Sequence, residues 1–164
     1  MLFIYVYMMF CSVHDTSSCA ISPNIEVDCD TLNATAAKLY RSNSTESLKQ
    51  FVLAADCFLY TGNYKKAAYC YLNMATLYEQ KFGKIDNSLI FANLSLSIHL
   101  DTFHQANLIK YIGLLHGEKG DFILTQKYLT NAIRLYEKID FEPGLNVCYF
   151  NLANVKYLSG DFIT

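Results

Sequence analysis

The chain has 164 residues, a net charge of −2 and an aromatic content of 15%, with 13 Tyr, 11 Phe and no Trp. Apolar residues make up 52% of it, which excludes an intrinsically disordered chain, because such chains combine low hydrophobicity with high net charge. The near-neutral charge also excludes the basic surface that nucleic-acid binding requires. The composition therefore predicts one folded domain without a nucleic-acid partner.

Residues 1–10 form an apolar run that is too short to span a bilayer as a helix, which takes about 20 residues. The length suits the hydrophobic part of a signal peptide, and the small residues Ser18-Cys19-Ala20 resemble a cleavage site. Against a signal peptide, no Lys or Arg precedes Lys38. We predict an apolar leader and irregular segment over residues 1–30, no integral membrane span and a cytoplasmic location. The alternative is the secretory pathway, if Met1 to Ala20 is a signal peptide.

The six cysteines are widely spaced and include no Cys-x-x-Cys pair, so they indicate neither a zinc site nor a redox motif. A free Cys at a helical apolar position behaves as a small buried hydrophobe. Three cysteines occupy such positions: Cys57, Cys70 and Cys148. Sequons begin at Asn33, Asn43 and Asn93, but a chain of this composition contains roughly one or two by chance, so they are no evidence of glycosylation.

From about residue 31 onward, a helical pattern recurs at intervals of roughly forty residues. Three triplets have a spacing of four and then three, with small first and last members, which places each triplet on one helix face. They are Ser47/Phe51/Ala54, Ser88/Ala92/Ser95 and Thr125/Leu129/Ala132. A second series, of two large residues and a small one, alternates with them around Ala75, Gly113 and Ala153. Small residues let a neighbouring helix approach closely, so we predict two alternating helix types, A and B.

Capping signals divide this region into seven helices. Asn43 with Glu46 is typical of a capping box, and Pro143 occupies a first-turn position where proline is tolerated. Glycines at 62, 83, 120 and 160 stop the pattern, and the next helix can then be capped by Asn63, Asp86, Asp121 and Asp161. The predicted helices are A 31–41, B 44–61, A 63–82, B 86–100, A 103–119, B 121–138 and A 143–159. An ordinary helical bundle without repeats is the alternative.

Gly120-Asp121-Phe122 and Gly160-Asp161-Phe162, with the small residues around them, resemble the tetratricopeptide repeat (TPR). Gly62-Asn63-Tyr64-Lys65-Lys66-Ala67 resembles it too. The resemblance covers residues 31–164 and implies an all-α, right-handed superhelical solenoid of antiparallel helix pairs. It would contain about three pairs and one unpaired helix, and would be incomplete at its C-terminal end.

The sequence resembles two TPR subfamilies with long repeats and does not decide between them. The segments Ala36 to Tyr40, Asn43 to Leu48 and Leu72 to Tyr78 resemble the soluble NSF attachment proteins (SNAPs). The segment Phe141 to Phe162 is closer to rapsyn-like and spindle-orientation scaffolds. A SNAP-like chain would be an adaptor in vesicle trafficking and membrane fusion.

In a solenoid of this kind the A helices line the concave wall, so the TPR phase implies a partner surface. Its residues are Tyr69, Leu72, Thr76, Glu79, Asn107, Lys110, Leu114, Val147, Phe150, Asn154 and Tyr157. The resemblance implies a non-enzymatic scaffold that binds a partner peptide or helix in this groove; a secreted or ER-lumenal helical-repeat protein is the alternative. The apolar last A helix would also allow self-association.

The sequence shows no pattern for catalysis or for a cofactor. His99-x-Asp101-x-x-His104 contains possible metal ligands, but it spans a predicted turn and lacks further ligands, so exposed turn residues are the better interpretation. His116 occupies an A-helix position where we expect packing, or an interaction with the C-terminal end of the helix dipole, and not catalysis. The sequence contains no Gly-rich phosphate loop, His-Glu-x-x-His or nucleophile elbow. We therefore expect no enzyme activity, no cofactor and no metal.

Overall fold

The computed structural model describes residues 28–98 and 100–159, and every regular element within them is an α-helix. The helices are α1 Cys29–Leu39, α2 Ser44–Tyr60, α3 Tyr64–Phe82, α4 Ile85–Ser97, α5 Thr102–Glu118, α6 Phe122–Glu137 and α7 Glu142–Ser159. The all-α prediction is confirmed for these residues. The largest boundary error is at the end of α4, predicted at residue 100 and observed at Ser97. Residues 1–27 of the predicted leader, and the repeat-like Gly160-Asp161-Phe162, lie outside the described residues.

Three of the predicted caps are confirmed and one is wrong. Asn43, Asn63 and Asp121 each accept a hydrogen bond from the backbone N–H three residues later. Asp86 does not cap α4, which begins at Ile85 without any side-chain cap. The reason is the preceding turn: Gly83 has a φ of 62°, and the N–H groups of residues 83 and 84 return to carbonyls of α3. The chain therefore enters α4 directly, with Asp86 inside its first turn.

The small-residue triplets lie in the core, where all nine residues are buried. The hydroxyl groups of Ser47 and Ser95 also bond across helices, which the sequence did not indicate. Ser47 Oγ donates to the carbonyl of Ala36 at 2.7 Å, and Ser95 Oγ donates to the carbonyl of Ala68 at 2.8 Å. A buried hydroxyl is stabilised by such a partner. These bonds hold α2 against the backbone of α1, and α4 against the backbone of α3.

Helices pack on their neighbours in the chain, and side chains also join helices that are two apart. Lys66 Nζ in α3 lies 2.6 Å from a carboxylate oxygen of Asp30 in α1. The rings of Phe103 in α5 and Phe141, just before α7, meet edge to face at a centroid distance of 5.1 Å. Buried residues form two clusters, one from α1 to α5 and one from α5 to α7, so α5 belongs to both.

The cysteine prediction is confirmed for two of its three residues and wrong for the third. Cys70 and Cys148 are free and buried, as expected. Cys57 is not a free hydrophobe, because it forms a disulfide with Cys29, whose Cα lies 5.5 Å away. The bridge joins the first residue of α1 to the C-terminal part of α2. A separation of 28 residues carries no signal of its own, since only the return of α2 along α1 brings the two thiols together.

In residues 28–98 and 100–159, none of the helices has the length and apolar character needed to cross a membrane.

Candidate functional site

The seven predicted surface residues on α3 and α5 are half-buried rather than open: Tyr69, Leu72, Thr76, Glu79, Asn107, Lys110 and Leu114. Four of them have polar groups that bond to other side chains of this chain. Three networks contain these bonds. Each network joins helices, so these residues contribute to the packing between helices.

The first network joins α3 to the start of α5. The hydroxyl of Tyr69 lies 2.6 Å from Nε2 of His104, and Nδ1 of the same ring lies 2.6 Å from Oδ1 of Asp101. Asp101 also caps α5 through the backbone N–H of His104, and Lys65 Nζ lies 3.2 Å from Oδ2. These hydrogen bonds, first of all the backbone bond from His104, hold the pKa of Asp101 well below its usual range.

This arrangement revises the interpretation of the His99-x-Asp101-x-x-His104 segment. His99 lies outside the described residues. Asp101 and His104 bond to each other and to α3, so they connect helices instead of being simple exposed turn residues. Among the described residues, no group of three or more His, Cys, Asp or Glu side chains is arranged to hold a metal ion.

The second network joins α3, α4 and α5 around Tyr111. Its hydroxyl donates to Oε2 of Glu79 at 2.7 Å and lies 3.1 Å from Oγ of Ser88. Burial, followed by the nearby Glu79 carboxylate, raises the pKa of Tyr111. Sequence reasoning missed Tyr111, because a Tyr on an amphipathic helix gives no indication of its hydroxyl partner.

The third network joins α5 to α6 around a fully buried tyrosine. Tyr136 donates its hydroxyl to Oδ1 of Asn107 at 2.9 Å, and Lys110 Nζ lies 3.4 Å from the same oxygen. The Lys110 ammonium also stands 5.8 Å from the centre of the Tyr136 ring. Burial raises the pKa of Tyr136 to about 12. Asn107 and Lys110 therefore contribute to the seam between α5 and α6.

The predicted surface residues on α7 lie in a different environment. Val147, Phe150, Asn154 and Tyr157 are all exposed, and the side chains of Phe150 and Tyr157 are 66% and 70% accessible. Their spacing of three, four and three places them on one side of the helix, next to the exposed Leu158. We call these five residues the α7 face. The buried residues of α7 lie on its other side: Gly144, Cys148 and Val155.

A second side of α7 is also less covered than the sides of α3 and α5 that carry Tyr71, Ala75 and Gly113. Tyr71 on α3 is buried and stacks on Phe91 of α4 at a centroid distance of 6.4 Å. Tyr149, which holds the matching position of the predicted repeat on α7, is 52% exposed. Likewise Ala75 and Gly113 are buried, whereas Ala153 is exposed. The described residues thus leave two apolar sides of α7 accessible.

Of the two roles predicted for His116, the structure shows packing. The His116 ring stacks on Tyr128 of α6 at a centroid distance of 5.3 Å and an interplanar angle of 10°. It lies in the last turn of α5, and the contact links α5 to α6.

Comparison with known proteins finds a similar fold but gives no indication of function. No protein-family model matches the chain, and no curated protein matches it. Among solved structures, it is similar to the crystal structure of BtubC (BKLC) from P. vanneervenii, with a TM-score of 0.51. The two sequences are 17% identical, over 82% of this chain and 68% of that chain. At this identity the likeness shows a shared fold alone.

Proposed function

We propose that this chain is a non-enzymatic protein–protein interaction scaffold that binds a partner peptide or helix on the concave side of a TPR-like, right-handed solenoid. Contacts between A helices support the repeat arrangement, because they recur at similar separations in sequence. Asp30 and Lys66 are 36 residues apart, Asn33 and Cys70 are 37 apart, and Tyr69 and His104 are 35 apart. Regular stacking of a repeated unit produces such an offset.

The α7 face is the part of the proposed groove best suited to a partner. Its aromatic and aliphatic side chains are accessible, whereas the candidates on α3 and α5 are half-buried, several of them bonded to other helices. Tyr and Phe are enriched in interface cores because each buries a large area. Exposure of Phe150 beside Tyr157 is the observation that carries the proposal. An amphipathic helix with apolar anchors three and four residues apart would match this face.

Two further assignments depend on the compartment. A SNAP-like adaptor in vesicle trafficking would work in the cytoplasm, which keeps thiols reduced. The Cys29–Cys57 disulfide instead supports the alternative of a secreted or ER-lumenal helical-repeat protein, because disulfides persist in oxidising compartments. Self-association through the α7 face is the other use that its apolar residues support.

A binding selection tests the proposal. Peptides selected from a random display library on the parent chain are measured against Phe150→Asp and against a matched control, Ile123→Asp. Ile123 is an exposed aliphatic residue on α6, outside the α7 face, so its change introduces the same charge elsewhere. We expect the selected peptides to lose about tenfold or more in affinity for Phe150→Asp, since a buried aromatic anchor contributes at least about 1.4 kcal/mol.

Two results would contradict the proposal. One is a set of selected peptides that bind both variants as tightly as the parent. The other is the loss of binding in the Ile123→Asp protein as well, since that would indicate a general effect of charge. Sedimentation of the same three proteins tests self-association, which Phe150→Asp should abolish and Ile123→Asp should leave unchanged.

A further inference from the structure

Asn43 lies in the turn between α1 and α2, whereas the other two sequon asparagines, Asn33 and Asn93, lie within helices. It is exposed, and its Oδ1 accepts a hydrogen bond from the backbone N–H of Glu46 at 3.1 Å. Within the described residues its Nδ2 makes no hydrogen bond. Thr45, the hydroxyl residue of the Asn43-Ser44-Thr45 sequon, is exposed as well. Both groups that define the sequon are therefore accessible.

The Asn33 and Asn93 sequons are less accessible. The amide of Asn33 is half-buried in α1 and its Oδ1 lies 3.6 Å from the thiol of Cys70. Asn93 itself is exposed, but its Nδ2 donates to the carbonyl of Leu89 at 2.8 Å. The hydroxyl residue of that sequon, Ser95, is buried and bonds to α3. A sugar at either position would disturb contacts that Asn43 does not make.

The Cys29–Cys57 disulfide is an independent observation that points to the same modification. It indicates an oxidising compartment, and in a eukaryotic cell the secretory pathway both oxidises thiols and glycosylates asparagine. The sequence alone provided no evidence of glycosylation, because the number of sequons was close to the number expected by chance. The disulfide indicates a compartment where glycosylation occurs, and the accessibility of Asn43 indicates which sequon is modified.

We propose that Asn43 is the N-glycosylated residue of this chain. The co-substrate is an oligosaccharide linked to a polyprenyl pyrophosphate. Nδ2 forms a bond to the anomeric carbon of the sugar, the bond from that carbon to the pyrophosphate oxygen breaks, and the polyprenyl pyrophosphate leaves. The amide loses one Nδ2 proton to a base, and no oxidation or reduction takes place. Because the cap to Glu46 uses Oδ1, the glycosylated side chain can still cap α2.

The test is expression of the full chain in cultured eukaryotic cells, followed by peptide N-glycosidase treatment and mass spectrometry. We expect one glycan on the parent, located at Asn43. Thr45→Ala should abolish it, and it keeps the Asn43 cap, so loss of folding is not the cause. Asn33→Gln and Asn93→Gln should retain it. Alkylation before and after reduction reports the Cys29–Cys57 bridge in the same sample.

Each remaining outcome overturns the proposal. Asn43 could be unmodified in molecules whose bridge is formed, or the glycan could reside on Asn33 or Asn93. A chain recovered without sugar and with Cys29 and Cys57 reduced would also contradict it, since the oxidising compartment would then be wrong.

Discussion

Gly113 lies where α5 packs on α6, and its replacement by alanine tests whether small residues set the spacing between helices. A Cβ at this position would stand 2.9 Å from Cβ of Tyr128 and 3.5 Å from the backbone N of Leu129. Carbon atoms in contact are normally about 3.5–4.0 Å apart. Because Tyr128 Cβ is bonded directly to the α6 backbone, a rotamer change cannot relieve the clash. The helix itself must shift.

Two effects of the Gly113→Ala substitution oppose each other. Overpacking a core typically costs about 1–3 kcal/mol, and a clash with backbone-linked atoms belongs to the upper half of that range. Alanine in a helix interior is more stable than glycine by about 1 kcal/mol. The clash outweighs the propensity gain. We therefore expect the free energy of unfolding to fall by about 1–2 kcal/mol.

Gly117→Ala is the matched control, since it is the same change on the same helix facing the same neighbour. Its Cβ would lie 3.4 Å from Oγ1 and 3.5 Å from Cγ2 of Thr125, which is ordinary contact. This variant should match the parent or gain up to about 1 kcal/mol. Urea unfolding followed by circular dichroism measures the free energy of unfolding of both variants. Equal m-values would show that the variants differ from the parent in stability and not in the surface exposed on unfolding. A Gly113→Ala protein as stable as the parent would refute the close approach of α5 and α6.

Three further predictions concern single contacts. The depressed pKa of Asp101 means that its charge stabilises the fold above the unfolded pKa of about 3.9, so Asp101→Asn should be less stable than the parent at pH 6. The difference should narrow as pH falls below about 3.9, toward the depressed pKa of Asp101 in the folded state, in acid titrations of unfolding. Replacing Cys29 and Cys57 with Ser should lower the free energy of unfolding by about 2–4 kcal/mol, and a reductant should do the same to the parent alone. Tyr136→Phe removes the bond to Asn107 and should cost about 0.5–1.5 kcal/mol in urea unfolding. An unchanged midpoint would contradict that contact.

Most of the helical architecture was predictable, because its causes are local. Cap residues such as Asn63 and Asp121, and triplets such as Ser47/Phe51/Ala54, act over a few residues and leave a periodic mark in the sequence. Asp86 shows where local reasoning fails: a residue of capping type follows Gly83, but the backbone that returns to α3 enters α4 at Ile85, so Asp86 lies inside the first turn and not at the cap position.

The candidate surface was harder to predict, because a helix position does not say what its side chain meets. All eleven predicted residues lie on α3, α5 and α7, and the TPR phase treats them alike. The structure divides them by exposure, with those on α7 open and those on α3 and α5 half-buried. Partners such as His104 for Tyr69 are 35 residues away, beyond any local pattern.

The sequence by itself determined that this aromatic-rich chain of low charge forms alternating amphipathic helices, since periodicity, caps and small residues are encoded within single turns. Only the tertiary structure decided that Cys57 is bridged to Cys29 and that Asn43 is the accessible sequon. It also decided that the aromatic residues of α7 remain exposed while Tyr71 and Tyr136 are buried. Burial and pairing depend on which helices meet, and that is a property of the packed chain.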